Sequence, residues 1–176
     1  MSEPLGKKVS ESKISTTRLM MPEDANPMGN VFGGVILKVI DEIAGMVAIL
    51  HARKPIVTAS IDRVDFWRPV RVGDMLILKA QVNYVARTSM EIGVRVEAEH
   101  PLEGQRRHTA SAYLTFVALD DQGKPTPIPK IIPENEVEGR RYVEAQKRRI
   151  QRLSAAGKIE DMFEVKIEKP PKSTEA

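Results

Sequence analysis

The chain has 176 residues, 41% apolar and 29% charged, and its formal net charge of +3 is spread along the chain as +2 before Glu134 and +1 from there onwards. This size suits one domain with an appendage, and neither part has the concentrated basic excess of a dedicated nucleic-acid binder. The absence of cysteine excludes disulfides, thiolate zinc sites and a cysteine nucleophile, and it fits a cytoplasmic protein.

Residues 1–13 (MSEPLGKKVSESK) lack the apolar core of a signal peptide. No run reaches the ~18–20 apolar residues that span a bilayer, so no membrane partner is expected. Residues 13–21 (KISTTRLMM) suit a first strand, and the two prolines, glycine and amides of 22–30 a loop. A helix is expected over residues 31–51. Its apolar side chains cover nearly the whole circumference, which predicts burial on most sides. The pattern then changes to period two in residues 56–67 (somewhat irregular), 75–85, 89–100 and 108–119, separated by short turns. Short links favour antiparallel neighbours, so the expected architecture is α+β: one antiparallel sheet curled around one long helix. Residues 121–133 hold four prolines and read as an extended linker. Residues 135–156 form a charged helix with a thin apolar stripe, and 168–176 a frayed tail. The expected division is therefore 1–133 and a helical extension, 134–176.

The stretch PEDANPMGNVFGGVILKVIDE concentrates the chemistry. Gly33 and Gly34 open the helix, where backbone N–H groups lack intrahelical acceptors and face the positive end of the dipole; they suit an oxygen acquiring negative charge. Paired glycines also serve tight turns and close packing. Asp41 lies two turns further on, roughly 10–12 Å by helical rise. It cannot act on a carbonyl held by its own glycines, but a symmetric partner could bring the two together. Asp41 could equally share an exposed edge with Lys38 and Glu42. Asn26 carries an amide donor and acceptor, and asparagine is also a common turn former or helix cap. His51, His100 and His108 have no ligand spacing with one another and read as ordinary surface or strand histidines, so no metal is expected. The six basic residues of 140–152 face only Glu144 and read as a solvated helix face rather than a phosphate site.

Together with VDFWRPVRVGD (64–74) and YVARTSMEIGVRV (84–96), this stretch resembles the short cytosolic acyl-CoA hydrolases of the hotdog-fold thioesterases, over residues 13–119. The resemblance implies a hotdog fold and hydrolysis of acyl-CoA to free acid and coenzyme A. It places the acid on Asp41, the loop amide on Asn26 and the oxyanion-binding N–H on Gly33 or Gly34. It also implies a homodimer in which Asp41 of one chain meets Asn26 and the glycines of the other, two sites per dimer. The proline-rich segment and the C-terminal helix would serve either a higher oligomer, for instance a trimer of dimers, or simply cover the sheet edge; sequence leaves both open.

Asp41 would act as general base for water or as nucleophile giving a mixed anhydride; sequence leaves both open. Coenzyme A belongs to the substrate, and no separate cofactor is expected. Its phosphates would meet Arg87, Thr88 and Ser89, with Arg68 and Arg71 as weaker candidates. Two other readings use the same fold. A hydratase or dehydratase needs a histidine paired with an acid near the central helix, where this chain has Met46. A non-catalytic acyl-CoA-binding subunit would not need Asn26, the glycines and Asp41 in one chain.

Overall fold

A computed structural model describes residues 6–155 and 169–171. In chain order it contains β1 (Lys7–Lys8), β2 (Ile14–Leu19), α1 (Gly33–Ala52), β3 (Ile56–Phe66), β4 (Met75–Val85), β5 (Ser89–Glu99), β6 (Arg106–Ala118), β7 (Ile131–Ile132) and α2 (Glu136–Ala155). The helix and the four period-two runs fall where the pattern predicts, within a few residues at their ends. Apart from residues 169–171, the tail expected over 168–176 lies outside the described residues.

β2 to β6 form one antiparallel sheet in the order β2-β4-β5-β6-β3. The first strand after α1 therefore lies at the opposite edge from the strand before it, and α1 carries the chain across the sheet. Alternation sorts the strands into two faces. Leu76, Leu78, Val82, Ile92, Val94, Leu114 and Phe116 are buried against α1. Their neighbours Gln81, Glu91 and Tyr113 point the other way, where α2 meets them. A five-stranded antiparallel sheet wrapped on one helix is the hotdog arrangement.

Within one chain α1 is buried along a single stripe: Ile36, Val39, Ile40, Ile43, Ala44, Val47, Ala48 and His51. Those positions recur every three or four residues, as one helical face requires. Met46 and Ile49, on the other side, are 48% and 49% exposed. The expectation of burial on most sides therefore fails for the isolated chain, because the sheet covers only one side of the helix.

Two further expectations are corrected. His51 is completely buried, not a surface residue; its Nε2 lies 2.7 Å from Pro129 O, and Lys7 Nζ donates to the His51 carbonyl at 2.8 Å. It ties the end of α1 to the proline-rich segment. That segment is more than a linker, because β7 pairs in parallel with β1. The basic face of α2 is also only partly solvated. Arg148 forms a two-pronged contact with Glu91 and lies over the Tyr113 ring at 3.8 Å, while Arg141 donates to Gln81 and Arg152 pairs with Asp62. The thin apolar stripe also meets the sheet: Tyr142 and Ala145 are buried, with Tyr142 edge-on to Tyr84, so α2 is seated by apolar contacts and guanidinium groups together.

Candidate active site

The loop before α1 is built around Asn26. Its Oδ1 accepts from Met28 N at 2.9 Å and Asn30 N at 3.2 Å, while its own N–H donates to Asn30 O at 2.7 Å. Gly29, at φ 77°, makes the left-handed turn that a side chain would strain. Asn26 is thus a turn former, as the simpler reading has it. The turn uses only the carbonyl half of the amide, and the Nδ2 donor keeps no partner among the described residues. The loop is held from both sides. Asp24 accepts from Arg18 at 2.9 Å and Met21 N at 3.0 Å, and Phe32 N donates to Asp24 O at 2.9 Å.

Gly33 and Gly34 are exposed and are the first two residues of α1. Val35 N and Ile36 N turn back to Phe32 O at 3.0 and 3.3 Å, whereas no acceptor among the described residues meets Gly33 N or Gly34 N. Packing within the chain does not demand glycine here. A Cβ on Gly33 would meet Phe66 at 3.9 Å and one on Gly34 would meet Phe32 at 3.7 Å, both ordinary contacts. Close packing within the chain therefore does not explain the pair, and two open N–H donors stand at a helix N-terminus.

Asp41 is half-buried on the side of α1 away from the core stripe, and it does not sit on a bare charged edge. The Thr58 hydroxyl donates to Asp41 Oδ1 at 3.0 Å. Thr58 was not among the residues singled out from the sequence. Its only signal was the broken alternation of residues 56–67, which the structure explains by register shifts between Thr58 and Ser60 and between Ile61 and Arg63 in the β3–β6 pairing. A bulge bends a strand and re-aims its side chains. Here one lies directly beside the residue that meets Asp41.

The site residues fall into two groups. Ser89 is opposite Val117, and Val117 is opposite Val57, so the β4–β5 turn carrying Arg87, Thr88 and Ser89 lies at the same end of the sheet as Thr58. Backbone bonds hold this turn: Ala86 N to Ser89 O, Ala118 N to Thr88 O and Ile128 N to Arg87 O. Arg87 remains exposed. The second group gathers at the far end of β3. Phe66 approaches Gly33 there, Asn30 bridges Arg71 next to Asn26, and Arg68 is exposed just beyond the strand. One chain therefore holds Asp41, Thr58 and Arg87–Ser89 apart from Asn26, Gly33, Gly34 and Arg68. His108 serves structure, with Nε2 2.9 Å from Ala110 O and its ring edge-on to Trp67.

The comparisons agree with this architecture. A family model described as the thioesterase superfamily matches residues 28–105. An uncharacterised acyl-CoA thioester hydrolase of Bacillus subtilis, YkhA, is 42% identical over 138 residues, 78% of this chain and 80% of the relative. The crystal structure of an apo-hexameric acyl-CoA thioesterase superposes with a TM-score of 0.84 at 44% identity, covering 87% of this chain and 98% of that one. A Staphylococcus aureus acyl-CoA hydrolase, solved with butyryl coenzyme A, coenzyme A and coenzyme A disulfide, superposes with a TM-score of 0.82 at 39% identity, covering 92% and 98%. The chain is an enzyme of the acyl-CoA thioester hydrolases, a family of the thioesterase superfamily.

Proposed function

We propose that the protein hydrolyses acyl-CoA at two equivalent sites per homodimer, each built from Asp41 and Thr58 of one chain and Asn26, Gly33 and Gly34 of the other. The observation that carries this is the separation of the two half-sites along β3, an edge strand. If the β3 strands of two chains pair across a twofold axis, they run antiparallel and the Thr58 end of one meets the Phe66 end of the other. That joins an acid lacking an oxyanion pocket to an oxyanion pocket lacking an acid. Phe32, Met46, Ile49, Val57, Ile61 and Phe66 are 40–54% exposed in one chain, and such a pairing would cover this apolar strip. Solved forms of the S. aureus hydrolase include alanine substitutions of an aspartate, a threonine and an asparagine at the same mutual spacing as Asp41, Thr58 and Asn26, which supports the choice of residues.

The chemistry follows from the geometry. Thr58 occupies one oxygen of Asp41 and orients the other towards a water. As general base, Asp41 takes a proton from water as the oxygen attacks the thioester carbonyl. Gly33 N–H, Gly34 N–H and Asn26 Nδ2 stabilise the developing oxyanion. The C–S bond then breaks, and the thiolate of coenzyme A leaves with the proton held by Asp41. In the nucleophilic route Asp41 itself attacks and water hydrolyses the resulting anhydride. Label found in the Asp41 carboxylate after a single turnover in heavy-oxygen water would establish the anhydride route, because direct attack by water on the thioester cannot place it there. Arg87, Thr88 and Ser89 would meet the phosphates of coenzyme A near the Asp41 half, with Arg68 entering from the partner. The hexameric neighbour supports a trimer of dimers, whose light-scattering mass would be that of six 19.6 kDa chains.

The decisive assay mixes purified protein with acyl-CoAs of short, medium and long chain and a thiol-reactive dye. Free thiol should appear with wild type and not with Asp41→Ala. Equal release by both, or none by either, would refute hydrolysis at Asp41.

A further inference from the structure

The turn between β3 and β4 holds a buried charge that the hydrolysis at Asp41 does not use. The side chains of Asp74 in this turn and Arg107 on β6 are 1% and 22% exposed. Asp74 Oδ2 accepts from Arg71 N at 2.8 Å and from the Arg107 guanidinium, while Oδ1 has no partner among the described residues. Closing the turn does not require such a group. Asp74 N already donates to Arg71 O at 3.1 Å, and Gly73, at φ 88°, supplies the left-handed residue. A neutral asparagine or serine could equally cap Arg71 N. A buried ion pair also adds little net stability, because desolvation of both charges offsets their attraction. What it can add is a fixed position for the turn.

The neighbours of the turn show what is held. The Asn26 loop leaves β2 through Met20 and reaches α1 through Val31, and the turn grips both ends. Met20 N donates to Asp74 O at 2.9 Å, and Gly73 N donates to Met20 O at 2.8 Å. Val31 N donates to Val70 O at 2.8 Å, and Asn30 bridges Arg71. Met20, Val31 and Val70 are buried, so water does not compete at either end. Asn30 is also the residue on which Asn26 closes. Its carbonyl accepts from Asn26 N at 2.7 Å, and its N–H donates to Asn26 Oδ1 at 3.2 Å. A shift of the turn would therefore move Asn26 and the start of α1 together, and Arg107 ties that turn to β6.

We propose that Asp74 and Arg107 are positioning residues for the oxyanion half-site, holding Asn26 Nδ2 and the N–H groups of Gly33 and Gly34 in register with the thioester carbonyl. This rests on active sites shared between two chains. Neither residue belongs to the reacting set; both act through the loop. Displacing a preorganised donor by about 1 Å costs rate more than substrate binding. The pair holds the loop of its own chain, so its effect follows Asn26 and not Asp41.

The test is Asp74→Asn, which keeps an acceptor for Arg71 N and removes the charge. At a temperature where melting curves show the variant fully folded, kcat should fall about tenfold or more, with KM changed less than about twofold. Complementation then separates positioning from general damage. Mixed with Asp41→Ala chains, Asp74→Asn should recover about a quarter of wild-type activity, because the mixed dimer has one site with Asp74, Asn26 and Asp41 all native. Mixed with Asn26→Ala chains, it should recover nothing beyond its own residual rate. Unchanged kcat, recovery with Asn26→Ala, or recovery with neither partner would overturn the proposal. If Asp74→Asn does not fold, Arg107→Lys, which keeps the buried pair charged, takes its place with the same expectations. Asn26→Ala mixed with Asp41→Ala is the control. Its failure after confirmed exchange would refute shared sites, and the kcat and KM of Asp74→Asn alone would then decide the positioning role.

Discussion

Thr58 on edge strand β3 donates its hydroxyl to Asp41 Oδ1 on α1 at 3.0 Å, from a position next to a strand bulge. The bond ties the acid of the helix to the strand that a partner chain would meet. Removing it should leave the fold unchanged but free the carboxylate to rotate. A hydrogen bond to a charged group is worth about 1.5–3 kcal/mol, so Thr58→Ala should lower kcat about 10- to 100-fold, with little change in KM. Thr58→Ser, which keeps the hydroxyl, should recover most of the rate. Steady-state kinetics of the two variants check this.

Gly33→Ala and Gly34→Ala should separate activity from stability. Neither added methyl meets anything closer than 3.7 Å within the chain, and alanine favours a helix over glycine. The melting temperature should hold or rise. The methyl would stand where the thioester oxygen approaches, and loss of an oxyanion donor costs about 10²–10³ in kcat. A variant that melts early and loses activity only in proportion would count against the oxyanion role.

Shared sites predict complementation. Asn26→Ala and Asp41→Ala chains should each be inactive alone. After subunit exchange, a mixed dimer has one site with both residues intact, so a random mixture should recover about a quarter of wild-type activity. Confirmed exchange with no recovery would show that each site is made within one chain.

His51 should shape the acid limb of stability. Burial holds its pKa below the ordinary 6.5; the Pro129 carbonyl pulls it up, Lys7 pushes it down and Glu11 pulls it up, and burial prevails. Below pH 6.5 the unfolded chain takes a proton that the folded chain refuses. The contribution of neutral His51 is therefore complete above pH 6.5 and is lost as pH falls towards the folded-state value. His51→Gln keeps a donor for Pro129 and cannot titrate, so its melting temperature should fall less between pH 7.5 and 5.5. His108, also held below its ordinary value chiefly by burial, is present in both proteins and cancels in the comparison.

Local pattern by itself determined the helix and the four strand runs, because periods of 3.6 and 2 are properties of short segments. Short links pointed to antiparallel neighbours, which holds for β4, β5 and β6 but not for β3 and β4, which follow one another in the chain and do not pair. It also singled out Asp41, Asn26 and the glycine pair, and helical rise alone showed that Asp41 and its own glycines could not share a carbonyl. Tertiary structure decided what depends on register and on which faces meet. A one-residue bulge aims Thr58 at Asp41, and strand pairing puts Arg87–Ser89 at the Asp41 end of the sheet and Arg68 at the other. Docking of α2 turned a basic face that looked solvated into contacts with Glu91, Tyr113 and Gln81. His51 went from an ordinary histidine to a buried tie because its partner lies 78 residues away in sequence. No local rule carries information across such a distance; it comes from the path of the chain.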